Sequence, residues 1–270
     1  STPKGIPMLS NIGVTKQIGL LVGKTSGNPI LLIQVKKQIM KTIGILGGVG
    51  PQTTSKVYLS IIKLIRESGE EKYPPIVIYN LPFPFVIEHE AIVQGINSEK
   101  MVPYLIDGAK ILEKSGVDFG ILPCNTLHKF IEEIRNTVQF PFLSILEETV
   151  LALKNRKIKK VGILATETTI ESKIYEDVLE NNGINILYPS KNEQNIVNNG
   201  IVELLNKTKN NSQSGKLENI CNDLHERGAE IILLACTDLQ LIASSMKTSV
   251  PIVDTTEILI NASVREMTKS

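Results

Sequence analysis

The 270 residues are 42% apolar and 21% charged, the balance of a globular chain with a real core. A formal net charge of +1 and the absence of tryptophan exclude a polyanion-binding surface and a base-stacking platform, so no nucleic-acid partner is expected. Three cysteines at 124, 221 and 236, without a C-x-x-C, and three scattered histidines offer neither a disulfide framework nor a zinc ligand set, and point to a reducing, cytoplasmic setting. No apolar run reaches the roughly 20 residues of a membrane helix, and no secretory signal is read.

In chain order, residues 1–39 lack a strand–helix alternation and read as an extension of uncertain status. GLLVGKTS resembles a phosphate loop, but the pattern needs glycine at 18 and Ile18 stands there. From Lys41 the alternation is clear. KTIGIL (41–46) predicts a buried strand, GGVGP a glycine-rich turn, and 52–68 a helix. Residues 75–82 predict a strand, 98–116 a helix with Pro103 in its first turn, and 117–123 a strand running into Cys124. A helix over 125–138 and a strand over 141–145 follow. Then the pattern begins again. KKVGILATETT (159–169) echoes KTIGILGGVGPQTT. A helix over 171–182, a strand over 185–190, a solvated break at 206–215, a helix over 217–228 and a strand over 229–235 lead into Cys236. PIVD (251–254) echoes PFLS (141–144), and a last helix closes the chain. The implied fold class is α/β: two similar parallel-sheet domains related by a pseudo-twofold axis, with the active site in the cleft between them. Their expected extents are 41–147 and 148–254, with the helix over 255–270 packing back on the first.

The repeat is most specific around the cysteines. Gly116–Cys124 (GVDFGILPC) aligns without a gap on Gly228–Cys236 (GAEIILLAC), and a small polar residue follows each thiol. Carboxyl ends of parallel strands carry the site in open α/β sheets. A helix start there presents unsatisfied N–H groups that can stabilise an anion or lower a thiol pKa from about 8.5. Asn125, Thr126 and Thr237 add hydrogen bonds, although residues of these types also serve as plain helix caps. A cysteine after a buried strand equally packs as a small hydrophobe. Matched positions in two repeats favour chemistry: two thiols facing one cleft suit proton removal from one face of a carbon and return to the other. Cys221, inside a helix and without a counterpart, reads as structural. His128 reads as a packing or capping residue that could tune Cys124, and Glu88, His89 and Glu90 as a solvated loop.

GILGGVGP (44–51), PCNTLH (123–128), GILATETT (162–169) and ACTDL (235–239), in that order and spacing, resemble the signature segments of the cofactor-independent aspartate/glutamate racemases. The resemblance spans Lys41 to the C-terminus and implies two α/β domains around one site. It implies Cys124 and Cys236 as acid/base thiols, no cofactor, no metal, a small amino-acid substrate and a homodimer. Asn125, Thr126, Thr166, Thr169 and Thr237 would bind the amino and carboxylate groups, and Gly48 and Val49 of the GGVGP turn would cover the pocket. GGVGP and CTDL look more like the aspartate branch. That branch places an arginine after the second strand, where this chain reads NLPFPFVIEHEA (80–91), and a lysine near Asn206 or Lys207. Lys207 is the candidate cation, and the missing arginine leaves open a broader or different substrate.

Three alternatives stay open. One is a related isomerase or racemase of maleate or hydantoin type. Another is a two-lobed small-molecule binding protein that needs no thiols. The third is a pyridoxal-phosphate enzyme, against which no lysine stands at a strand end beside a phosphate turn.

Overall fold

The computed structural model describes residues 18–25, 28–35, 40–205, 212–237, 239 and 246–269. The N-terminal stretch contains an element the sequence reading lacks. β1 (Ile18–Thr25) and β2 (Asn28–Val35) pair antiparallel, from Ile18 opposite Val35 to Thr25 opposite Asn28. Their β-branched and leucine-rich runs flank a Ser-Gly pair, the composition of a two-residue hairpin turn.

Two four-stranded parallel sheets follow. The first contains β3 (Ile43–Gly47), β4 (Ile76–Asn80), β5 (Phe119–Ile121) and β6 (Phe142–Leu143), in the order β4-β3-β5-β6. The second contains β7 (Lys160–Leu164), β8 (Asn185–Leu187), β9 (Ile231–Leu234) and β10 (Ile252–Asp254), in the order β8-β7-β9-β10. Each half thus has its second strand at the edge beside its first, then its third and fourth. The duplication inferred from Gly116–Cys124 and Gly228–Cys236 extends to the whole topology.

Helices cover both faces. The first half carries α1 (Pro51–Glu67), α2 (Phe85–Glu88), α3 (Val102–Lys114), α4 (Ile131–Arg135) and α5 (Ile145–Asn155). The second carries α6 (Glu167–Glu171), α7 (Ile174–Glu180), α8 (Lys191–Leu205), α9 (Ser212–Glu226) and α10 (Thr255–Met267). The helix expected over 171–182 starts only at Ile174, after Lys173 takes a left-handed conformation (φ 57°), and the short α6 precedes it where a turn was expected. The chain restarts there with Tyr175 and Leu179 buried. Ser212–Gly215, expected in a solvated break, belong to α9.

The apolar core is continuous across the halves. Ile43, Ile45, Phe119 and Ile121 of the first sheet share one buried cluster with Val161, Ile163, Ile231 and Leu233 of the second, together with Val57 and Ile61 of α1, Leu153 of α5, and Leu259 and Val264 of α10. Burial on both faces is why these strands read as unbroken apolar runs rather than alternating ones. The last helix packs against both α1 and α5. Arg265 pairs with Glu148 at 2.6 Å, Lys41 pairs with Glu266, and the Lys41 N–H donates to the Met267 carbonyl. The boundary expected at 147/148 falls inside α5.

On the outer faces the repeat reappears in side-chain detail. A methyl placed on Gly44 would lie 3.1 Å from Leu112 Cδ1 of α3. One placed on Gly162 would lie 2.7 Å from Ile232 Cδ1 and 3.1 Å from Leu224 Cδ1 of α9. Leu112 and Leu224 precede Gly116 and Gly228 by the same four residues. Each first strand therefore uses a glycine so that a helix leucine can press onto the sheet. Gly162→Ala should destabilise the fold by about 1–3 kcal/mol, the cost of overpacking a filled site. A lower urea midpoint with an unchanged m-value is the expected result of equilibrium unfolding.

Candidate active site

The residues singled out by the sequence gather where β3, β5, β7, β9 and β10 end. Cys124 follows β5 and Cys236 follows β9, each only 8% exposed. Cys124 belongs to an apolar cluster with Leu46, Val49 and Leu81, and Cys236 to one with Leu164, Val197 and Leu239. None of the three cysteines forms a disulfide. Cys221 is fully buried inside α9, and burial, with Glu218 nearby, pushes its thiol up to about 12, which keeps it protonated and inert.

Immediately after Cys124 the structure corrects the expected helix. Thr126–Phe130 form a 3-10 turn, and α4 spans only Ile131–Arg135. His128 supplies the reason. Its Nδ1 lies 2.6 Å from the Cys124 carbonyl, the acceptor its own backbone N–H would use in an α-helix. That N–H turns to the Asn125 carbonyl instead, at 3.0 Å. The macrodipole of a long helix is therefore not available at Cys124, and the polarity of the site rests on side chains. The imidazole Nε2 accepts from the Ile145 N–H at 3.0 Å, capping α5, so the ring proton sits on Nδ1 and is donated to the Cys124 carbonyl. Full burial lowers the histidine pKa to about 4, which keeps the ring neutral. Its role is to pack, cap and orient.

Asn125 joins the halves. Its Oδ1 accepts from Tyr175 Oη of α7 at 2.6 Å and from Thr255 Oγ1, at the start of α10, at 3.2 Å. The single Thr255 proton is shared with the Leu234 carbonyl, two residues before Cys236, which lies closer at 2.9 Å. One hydroxyl thus links the turns that carry the two cysteines. The Asn125 Nδ2 is buried and meets no acceptor among the described residues. Thr126 Oγ1 lies 2.9 Å from Thr169 Oγ1, which lies 2.9 Å from Thr166 Oγ1. Thr166 also accepts from the Thr169 N–H as the N-cap of α6. Thr126, Thr166 and Thr169 therefore form a hydroxyl chain across the seam. Thr237 is half-buried beside Cys236. Lys207 lies outside the described residues.

The GGVGP turn is fixed from two sides. Thr54 Oγ1 accepts from the Gly48 N–H at 3.1 Å, and the Gly47 carbonyl accepts from the Leu81 N–H at 3.0 Å. Gly48 (φ 101°) needs its freedom, since a methyl there would come within 2.9 Å of the Leu81 nitrogen. Val49 is buried. Glu88, read as part of a solvated loop, reaches the Gly50 N–H at 3.4 Å, while Glu90 accepts from Asn97 and Lys100, both at 3.0 Å. A methyl on Gly95 would lie 2.8 Å from Thr168 Oγ1 of α6, so the segment after α2 crosses from the first half onto the second.

Sequence reasoning missed Tyr175, Thr255 and Asp254. Tyr175 gave no signal as a lone aromatic in a helix. Asp254 aligns with Ser144, polar like it, and Thr255 had a signal: where the first half continues PFLS with Ile145, the second continues PIVD with Thr255, a polar departure from the repeat. Among the described residues no group of three or more His, Cys, Asp or Glu could hold a metal ion, and no helix is long and apolar enough to cross a membrane.

Duplicated parallel sheets joined through a shared core define a two-domain α/β fold, and comparison with known proteins gives its class. Residues 46–263 match the Asp/Glu/Hydantoin racemase family. The chain belongs to that family and is an amino-acid racemase by class. It is 34% identical over 226 residues to the broad specificity amino-acid racemase RacX of Bacillus subtilis (strain 168), covering 82% of this chain and 96% of that protein. Among solved structures, an aspartate racemase homologue from Pyrococcus horikoshii OT3 is similar with TM-score 0.72 and 29% identity, over 86% of this chain and 100% of that one. Picrophilus torridus aspartate racemase is similar with TM-score 0.69 and 29% identity, over 84% and 94% respectively.

Two buried groups make opposed contributions to acid stability. His128, depressed to about 4, favours the fold above the ordinary histidine pKa and loses that contribution as pH falls from 6.5 towards 4. Asp254 caps α10 through the Thr256 N–H at 2.7 Å, and burial raises its carboxyl to about 6. Its protonated form is favoured in the fold, so it destabilises as pH rises from 3.8 through 6. The two slopes offset between about 4 and 6. Asp254→Asn keeps the cap and removes one slope, so this variant should lose up to roughly 3 kcal/mol of stability on acidification from pH 6.5 to 4, while the parent changes less. Urea unfolding at stepped pH reads the difference.

Proposed function

We propose that the chain is a cofactor-independent amino-acid racemase that moves a proton at Cα with Cys124 and Cys236 as paired acid and base. The observation that carries the reading is the matched placement of the two thiols after the equivalent strands β5 and β9, in sheets of identical topology, with their turns joined through Thr255. One thiolate removes the α-proton, the opposite thiol returns a proton to the other face, and the roles exchange for the other enantiomer. The burial of both sulfurs excludes water that would otherwise compete for the proton. Asn125 Nδ2, a buried donor without an acceptor among the described residues, supports a role in holding the substrate carboxylate, and the hydroxyls of Thr126, Thr166, Thr169 and Thr237 would supply further polar contacts. Hydrogen bonds to the carboxylate stabilise charge that develops on it as the proton leaves.

Aspartate and glutamate are the first substrates to consider, and a wider range is favoured by two observations. Residues 80–91 contain no arginine, and the relative covering most of this chain is named as broad in specificity. The test is deuterium uptake at Cα for a panel of acidic, neutral and basic L- and D-amino acids in heavy water without added cofactor. The parent should exchange both enantiomers of its substrate. Cys124→Ser and Cys236→Ser should each lose racemisation by about 100-fold or more, with residual exchange confined to one enantiomer, a different one for each. Retention of full two-sided exchange by both variants would falsify the two-thiol mechanism.

A further inference from the structure

We infer that Tyr175, with Thr255, is a positioning residue that presets the Asn125 amide, so that the second half of the chain decides what the first half can bind. The inference rests on the racemase reading of this seam. A carboxamide has an accepting end and a donating end, and rotation by a half-turn exchanges them. Two hydroxyls fix the choice here. The Tyr175 phenol is buried and protonated, and it gives its one proton to Oδ1 at 2.6 Å. Thr255 adds its hydroxyl, shared with the Leu234 carbonyl. With both on Oδ1, the NH2 points away from them, and that is the buried donor without an acceptor among the described residues. The flipped amide would offer an oxygen in the same place and repel a carboxylate. Asn125 sits after β5, Tyr175 on α7 and Thr255 at the start of α10, so separating the halves would release both constraints. The preset therefore exists only when the seam is closed, which couples closure to affinity for a carboxylate ligand.

The experiment uses the full-length protein with selectively 15N-labelled asparagine, the Asn125 side-chain pair being assigned by its loss in Asn125→Ser. Tyr175→Phe should shift and broaden that pair and raise KM about tenfold, with kcat changed by no more than about threefold, as expected when a hydrogen bond that orients a ground-state contact is lost. Tyr188→Phe, a half-buried tyrosine outside the seam, should leave both readouts unchanged. An unmoved Asn125 pair with KM within about twofold of the parent overturns the inference. If the parent exchanges no amino acid, the racemase reading fails, yet the resonance arm still decides the positioning: movement on Tyr175→Phe upholds it and immobility overturns it. Should Tyr175→Phe fail to fold, Thr255→Val takes its place and must reproduce the shift, with Thr255→Ser restoring the parent spectrum; absence of that pattern again overturns the inference.

Discussion

One buried amide oxygen commits the two halves of this protein to each other. Asn125 Oδ1 takes a hydrogen bond from α7 and another from α10, both belonging to the second half, while its own backbone lies in the turn after β5 of the first. A polar group so placed is tolerated only when its partners are supplied. Removing Asn125 takes the amide acceptor from the buried Tyr175 hydroxyl, a larger loss than the net value of a single hydrogen bond, while Thr255 keeps the Leu234 carbonyl. The apolar core running between the sheets supplies cohesion without direction. The asparagine and its hydroxyl donors supply the direction, because only one relative placement of the halves brings the three together.

The parallel sheets concentrate that polarity at one edge. Strands buried on both faces can place polar residues only where they end, and all strands of each sheet end on the same side. Hence Asn125, Thr126, Thr166, Thr169, Asp254 and Thr255 are polar and buried together, although they come from strands far apart in sequence. Duplicating a four-stranded unit and packing the copies through a shared core brings two such edges into one seam. A reaction that needs unlike groups on opposite sides of one carbon is served by this arrangement with little further invention.

Much of this was legible in the sequence, and the parts that were not fail for identifiable reasons. Strands β3, β5 and β9 announce themselves as short apolar runs closed by glycine, proline or cysteine, β7 is closed by Ala165 and Thr166, and the ungapped match from Gly116 to Cys124 with Gly228 to Cys236 signals duplicated halves. The helix after Cys124 misled because its periodicity is helical while a side chain, His128, competes with the backbone for the Cys124 carbonyl. That is a contact periodicity cannot register. The break at Lys173 was hidden for a related reason: nothing local demands it, and it coincides with the burial of Tyr175 at the seam. The threonines of GILATETT read as ligand-binding groups, and Thr169 also bonds to both Thr166 and Thr126, so a residue type suited to a substrate can serve as a strut as well. The hairpin of β1 and β2 carries no strand–helix alternation, the signal that marks the elements after Lys41.

The three cysteines show how burial and placement separate chemistry from packing. By exposure alone they are alike, all under one-tenth accessible. Cys221 lies inside α9, surrounded by apolar neighbours and near Glu218, so both its desolvation and the nearby negative charge oppose a thiolate. Cys124 and Cys236 end strands instead, where the chain leaves the sheet and neighbouring residues bring amides and hydroxyls within reach. His128 shows the same distinction from the other direction. A histidine four residues from a candidate thiol invites a general-base role, but both of its ring nitrogens are engaged, one by the Cys124 carbonyl and one by the Ile145 N–H, and no lone pair is left to take the thiol proton. What it contributes is stiffness: it ties the carbonyl of Cys124 to the start of α5, which holds the backbone that carries the sulfur. The proposed two-thiol reaction would depend on such fixed backbones, since a shift of about 1 Å in either sulfur would spoil the alignment on which proton transfer relies.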